Sequence, residues 1–248
     1  MAVSVDIVYK TVLSILNKEQ RGYMTPDEFN KVGSQVQLEI FESYFEDMNQ
    51  QLRIPQSDTE YADRQKNVDN KLSIFKTFGA CGYDGLGGYF NPPSDLHAIG
   101  TVIYKDEVEA ERVQRNELLY INQSGLTKPT ENFPVYSYEK SISGINGQNT
   151  STPKIYVYPK SIVNNISVTY IRKPRDIQWG YTGLGGVTWT NGPYIYSPIN
   201  SIQFELDASE QTNIVIRILT YAGVILRDPQ IVQDASQKIQ AQEINSKN

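Results

Sequence analysis

Thr25-Pro-Asp-Glu-Phe-Asn-Lys-Val-Gly-Ser-Gln-Val-Gln-Leu-Glu-Ile-Phe-Glu-Ser-Tyr-Phe45 is the stretch that says most about the fold. A threonine hydroxyl can accept from the backbone amide three residues on, the glutamate there can reach back, and proline is tolerated at the first helical position because its missing N–H would lack a partner anyway. From this start Phe29, Val32, Val36, Ile40, Tyr44 and Met48 recur at helical spacing, broadened by Phe41 and Phe45, while Glu39, Glu42, Glu46 and Asp47 lie mostly off the stripe. The spacing predicts a long helix with one packed face and one wet face. Upstream, Ile7, Val8, Val12, Ile15 and Leu16 give a shorter amphipathic helix that stops before Gly22. The first region, residues 1–53, is therefore expected to be helical.

From Ile54 the helical period fades, and short alternating runs rich in Tyr, Val, Ile and Thr follow one another between Gly, Pro, Asn and Ser clusters. Residues 54–206 read as a β-rich body. Within it, Lys154-Ile-Tyr-Val-Tyr-Pro159 and Ile166-Ser-Val-Thr-Tyr-Ile-Arg172 are expected to form neighbouring antiparallel strands. Asp106 to Leu119 is expected to include a short helix, and Ser141 to Thr152 to be a polar, glycine-containing loop. Helix returns in residues 207–248. Asp207-Ala-Ser-Glu210 offers a second, aspartate-led capping box ahead of Ile214, Val215, Ile218, Leu219 and Ala222, and Asp228-Pro229 starts a last helix with the thin apolar stripe Ile231, Val232, Ala235 and Ile239. This helix, strand, helix order predicts an α+β protein. Gly82-Tyr-Asp-Gly-Leu-Gly-Gly88 is echoed by Gly180-Tyr-Thr-Gly-Leu-Gly-Gly186, which reads as two loops with similar turn needs and not as a repeat architecture.

The 248 residues carry a formal charge of −5, which speaks against tight binding to a phosphate backbone. An acidic surface would still let a duplex slide past. Seventeen tyrosines against eight phenylalanines and two tryptophans suit broad contact surfaces, and equally the wet face of a β-sheet. The opening residues lack a basic region followed by a long apolar stretch, so no secretory signal is expected there. The run Ile214–Leu226, broken by Arg217 and Thr220, is too short to span a bilayer. Cys81 is the only cysteine, which rules out an intramolecular disulfide and points to a small buried apolar role.

Chemistry is hard to place. The glycine heptads do not give G-x-G-x-x-G, and no Gly-Lys-Ser or Gly-Lys-Thr triplet completes a P-loop. His97 is the only histidine, which removes a His-pair metal site and leaves a nucleophilic triad resting on one residue without a G-x-S-x-G elbow. Asp58, Glu60, Asp63 and the Asp106-Glu107-Val-Glu109-Ala-Glu111 run read as solvated faces, although a pair of carboxylates across a cleft would suffice for a glycosidase. No catalytic residue, cofactor or metal is expected. The one compact basic patch, Arg172-Lys173-Pro-Arg175, stands at a strand end, where it could meet DNA or an acidic partner or simply lead into a loop.

Four passages together resemble the head-to-tail connector, or adaptor, proteins that sit beneath the portal of short-tailed bacteriophages, above all the first ring proteins of crAss-like phages. They are Tyr9-Lys-Thr-Val-Leu-Ser-Ile-Leu-Asn-Lys-Glu-Gln-Arg-Gly-Tyr23 with Thr25-Pro-Asp-Glu-Phe-Asn30; Gln35-Val-Gln-Leu-Glu-Ile-Phe-Glu-Ser-Tyr-Phe45; Val157-Tyr-Pro159 with Tyr170-Ile-Arg-Lys-Pro174 and Trp179; and Phe204-Glu-Leu with Ile218-Leu-Thr-Tyr-Ala-Gly-Val224. In order they span nearly the whole chain, and none is a catalytic motif. The resemblance implies a helical bundle built from both chain ends beside an antiparallel, sandwich-like β-rich part. It implies a structural virion protein, made in the host cytoplasm and placed in the neck. Such a protein forms a homo-oligomeric, twelve-fold ring between the portal and a further tail protein, around a channel for genomic DNA. It also places portal contact on Asp228 to Asn248, hence on Asp228, Ile231, Val232 and Ile239. The rival readings are another tail ring, tube or hub component and a carbohydrate-binding β-sandwich using Trp179 and Trp189 as stacking platforms.

Overall fold

The capping box at Thr25 closes in both directions in the computed structural model. Thr25 Oγ1 accepts from the Glu28 amide at 3.3 Å, and the Thr25 amide donates to Glu28 Oε2 at 2.8 Å. The structure describes residues 2–18, 23–51, 64–145, 148–182, 194–225, 237–238 and 240. The chain divides into two units, residues 1–74 with 174–248, and residues 75–173.

The elements run β1 (Ala2–Val3), α1 (Val5–Lys18), α2 (Pro26–Gln51), α3 (Arg64–Ser73), β2 (Lys76–Ala80), β3 (Gly82–Asp84), β4 (Tyr89–Asn91), β5 (Leu96–Tyr104) and β6 (Val108–Arg112). Then come α4 (Arg115–Gln123), β7 (Val135–Ile145), β8 (Gln148–Tyr158), β9 (Ile166–Arg172), β10 (Tyr181–Thr182), β11 (Ile195–Tyr196), β12 (Phe204–Asp207) and α5 (Gln211–Ile225). The two helices expected in the first region are therefore present.

In the first unit, β1 pairs with β12 and β10 with β11, both antiparallel. Val8, Val12, Leu16, Phe29, Ile40, Phe41, Phe204, Leu206, Ile214 and Ile218 are fully buried there. Each such side chain contributes roughly 1.5–3 kcal/mol through removal from water. The polar side of α2 is also engaged. Asn30 Oδ1 accepts from the Trp179 amide at 2.7 Å, Ser34 Oγ from the Ile177 amide at 3.0 Å, and Gln37 Nε2 donates to the Arg175 carbonyl at 2.6 Å. Residues spaced by four and three share one helix face, so this row of side chains serves an extended segment as a neighbouring strand would. Gly33 lies in the same row, where an added Cβ would sit 2.6 Å from Ile177 Cδ1, so its missing side chain admits the segment.

The aspartate-led start of α5 forms only in part. Asp207 accepts from the Ser209 amide at 2.9 Å, but a short 3₁₀ turn at Ala208–Glu210 intervenes before the helix. Buried Glu210 turns away from the box, accepting from Lys71 Nζ at 2.5 Å and Asn213 Nδ2 at 3.1 Å. A charged partner on α3 outcompetes the backbone amide for this carboxylate.

The second unit holds one eight-stranded sheet in the order β2-β9-β5-β6-β7-β8-β4-β3. Its two edge strands, β2 and β3, are consecutive in sequence with only Cys81 between them, and the Cys81 amide still donates to Ile166 of β9 at 2.8 Å. A sheet whose edges are joined by one residue must curl nearly into a barrel. Phe90, Val102, Tyr104, Ala110, Tyr136, Ile155, Val157, Ile166, Val168 and Tyr170 converge on a single core inside it.

These pairings correct the expected architecture. The protein is α+β, but a bundle of terminal helices beside a sandwich does not form. The helices of the first unit are interleaved with short strands and the segment held by α2. The β-rich part is one curled sheet because β6 and β7 pair in parallel, through the α4 crossover, and join what would otherwise be two sheets. The expected hairpin of residues 154–159 with 166–172 is also absent. Strand β8 pairs with β7 and β4, whereas β9 lies between β2 and β5. Residues 141–145 and 148–152, expected in a loop, continue the β7–β8 ladder as far as Ile145↔Gln148. The short helix expected within 106–119 begins only at Arg115, after β6.

Candidate functional site

The turn from β3 to β4 holds a leucine out in water. Asp84 Oδ1 accepts from the amides of Leu86 and Gly87 at 3.0 and 3.2 Å, and the Gly88 amide donates to the Asp84 carbonyl at 2.9 Å. Gly88 takes a φ of +64°, open to glycine at no steric cost, and a Cβ at Gly87 would overlap the Tyr89 ring. Hydrogen bonds from Tyr89 and from the Gly87 amide hold the Asp84 carboxyl below the usual carboxylate range, so the tip carries a fixed negative charge. Leu86, between Gly85 and Gly87, is 104% exposed.

On the opposite end of the strand order, β2, β9 and β5 form the floor of an open groove of about 580 Å³. Phe78, Ala98, Ile99 and Ile171 supply its apolar lining, and Lys76 is the one charged residue in it. Its depth has a local cause. The β5–β9 register shifts between Ile99 and Val102, so the ladder opens at Gly100, where an added Cβ would lie 2.8 Å from the Thr169 carbonyl oxygen. Thr169 Oγ1 takes over the missing ladder bonds, accepting from the Thr101 amide at 2.9 Å and donating to the Thr101 carbonyl at 3.2 Å.

A third apolar surface follows α4. Leu119 and Tyr120 are exposed on that helix, and Leu126 (99%) and Phe133 (79%) border a depression of about 710 Å³ that also takes in Glu109, Glu111, Arg112 and Lys128.

The residues singled out from sequence are dispersed. Arg172 ends β9, its amide donating to Phe75 at 2.9 Å and its guanidinium lying 5.6 Å from the Phe75 ring centre. The exposed Lys173 donates its amide to the Asp95 carbonyl at 2.7 Å. Arg175, also exposed, belongs to the first unit, with its amide on Glu205 at 3.0 Å. Asp228, Ile231, Val232 and Ile239 lie outside the described residues, as do Asp58, Glu60, Asp63 and Trp189. Trp179 is buried, with Tyr9, Tyr196 and Tyr181 at ring distances of 4.7, 5.7 and 6.1 Å and its Nε1 donating to Asp6, so it presents no open stacking face. His97 is exposed on β5. No group of His, Cys, Asp and Glu among the described residues is arranged to hold a metal, and no described helix is long and apolar enough to cross a membrane.

Cys81 is half-buried against the sheet core, and desolvation pushes its thiol up to about 11 from 9.0. At pH 8 the thiolate fraction is then about a hundredfold below that of an unperturbed cysteine. Iodoacetamide is accordingly expected to label the native protein about a hundredfold more slowly than the denatured chain; equal rates would refute the burial.

The chain matches no protein-family model and no curated protein. Leu86, the β2–β9–β5 groove and the α4 surface were missed as sites because their large exposed side chains are apolar, and such residues in a strand, a helix or a glycine turn read as ordinary structure.

Proposed function

We propose that this protein is a non-catalytic structural subunit of a ring that joins the portal to the tail in the neck of a short-tailed phage and prolongs the DNA channel. The observation that carries this reading is the set of large apolar side chains, Leu86, Leu126, Phe133 and those of the groove, that the sheet unit keeps accessible. Apolar anchors on rigid elements, rimmed by polar groups, are what lateral protein contacts require. The order of the connector-like passages along the chain supports the same role, and the net charge of −5 suits a wall that DNA passes without being held. The partners are further copies of the chain, the portal above and a tail protein below.

The test is electron microscopy of the purified protein with and without the portal of the same phage. A ring of this protein coaxial with the portal channel is the expected result. A protein that leaves the portal bare at micromolar concentration excludes the connector role.

A further inference from the structure

We propose that Leu86, carried on the β3–β4 tip of one copy, seats in the β2–β9–β5 groove of the next, so that each lateral contact is a knob from one subunit in a groove of its neighbour. This deepens the ring reading and rests on it. A head-to-tail contact between identical chains needs two different, complementary patches on each copy, and such contacts close into rings when the rotation allows. The sheet unit carries two such patches. Leu86 is covered by none of the described residues, and the flanking Gly85 and Gly87 remove side chains that would stop the tip from descending. The groove is apolar along Phe78, Ile99 and Ile171, and Phe78 is itself exposed. The charges also match. Within Tyr83–Tyr89 the only ionised side chain is Asp84, two residues from Leu86 and with Lys154 of β8 as a neighbour, and among the described residues lining the groove it is Lys76.

The occupant is thus a second copy, and sedimentation velocity from micromolar to about 1 mM tests it. Three chains are compared, the wild type, Leu86→Glu and Phe78→Glu, each checked for native circular dichroism. Both substitutions fall on exposed side chains, so folding is retained. Wild type is expected to assemble, and each variant to require about ten- to a hundredfold higher concentration, the loss that follows from leaving a leucine-sized contact unmade. An equimolar mixture of the two variants is expected to give dimers that grow no further. Leu86→Glu retains the groove and Phe78→Glu retains the tip, so only one productive contact remains per pair. Asp84→Asn, which keeps an oxygen for the turn but removes the charge, and Lys76→Met are expected to weaken assembly by less together than the sum of their separate effects. If Leu86→Glu assembles like wild type, the knob-and-groove contact is wrong while rings on the portal can still form. A wild type that stays monomeric across the series overturns the contact directly, and portal binding then decides the ring reading by itself.

Discussion

Phe90→Ala is expected to destabilise the sheet unit by about 3–5 kcal/mol, the range for removing a buried aromatic ring from a core that cannot collapse around the space. Phe90 is 1% exposed and packs among Val102, Ile155 and Val168 inside the curled sheet. It also forms the one registered pair between β4 and β8, Phe90↔Ile155, and stands 5.0 Å from the Tyr83 ring of β3. Its loss therefore opens a cavity and loosens the two-stranded edge that carries the Leu86 tip. Amide exchange at Tyr83, Tyr89 and Phe90 should accelerate before that at Val168, which is flanked by strands on both sides. Exchange that stays uniform across the sheet, or a loss below about 1 kcal/mol, would show that β3 and β4 are held by something other than this ring.

The parts of the fold legible in the sequence were those decided within a few residues. The Thr25–Glu28 box and the two helices of the first region depend on spacing alone and form as read, whereas the wet face expected of α2 is in part buried, with Gln37 enclosed. Pairing between strands was not legible, because the residues of one strand do not name their partner. Ile166–Arg172 reads as the natural neighbour of residues 154–159, yet it inserts between β2 and β5, strands more than sixty residues upstream. The β5–β6 hairpin was hidden for a chemical reason. Its three-residue loop is Lys105-Asp106-Glu107, with Lys105 and Asp106 at φ of 52° and 59°, positions that Asn-Gly or Asp-Gly would have announced. Ser167 Oγ, donating to Asp106 Oδ1 at 2.9 Å, helps to hold that turn, a bond across 61 residues that no local pattern encodes. The polar Ser, Thr, Asn and Gly of residues 141–152 likewise read as a loop, although a strand whose backbone groups are paired tolerates them.

The same limit applies to the candidate surfaces. The Gly82–Gly88 heptad was recognised as a turn, and it is one. That its leucine stands free in water follows from the Asp84 bonds and the Gly87–Tyr89 contact, which depend on three-dimensional placement. The groove depends on a register shift at Gly100, and a lone glycine in a strand signals such a shift without saying what will line it.

Gln37→Met carries the second large expectation, a loss of about 3 kcal/mol in the first unit. The two side chains are similar in volume, so packing is nearly preserved and the change isolates the amide's hydrogen bonds. Gln37 is 1% exposed on α2, with its Nε2 donating to the Arg175 carbonyl at 2.6 Å and its Oε1 accepting from the Glu205 amide at 2.8 Å. One side chain thus joins the 175–179 segment to β12 through the helix, and methionine leaves a carbonyl and an N–H without these partners. Each orphaned group costs roughly 1–3 kcal/mol where water cannot replace the lost bond. Asn30 and Ser34 still hold the far end of the segment, so the effect is graded along it: amide exchange should rise most at Glu205, less at Ile177 and least at Trp179. A polar stripe on a solvated helix face would behave otherwise, since Gln37→Met there would change stability by no more than about 0.5 kcal/mol. The size of the measured loss therefore decides whether the row Asn30, Ser34, Gln37 is a surface feature of α2 or the ladder on which residues 175–179 are built.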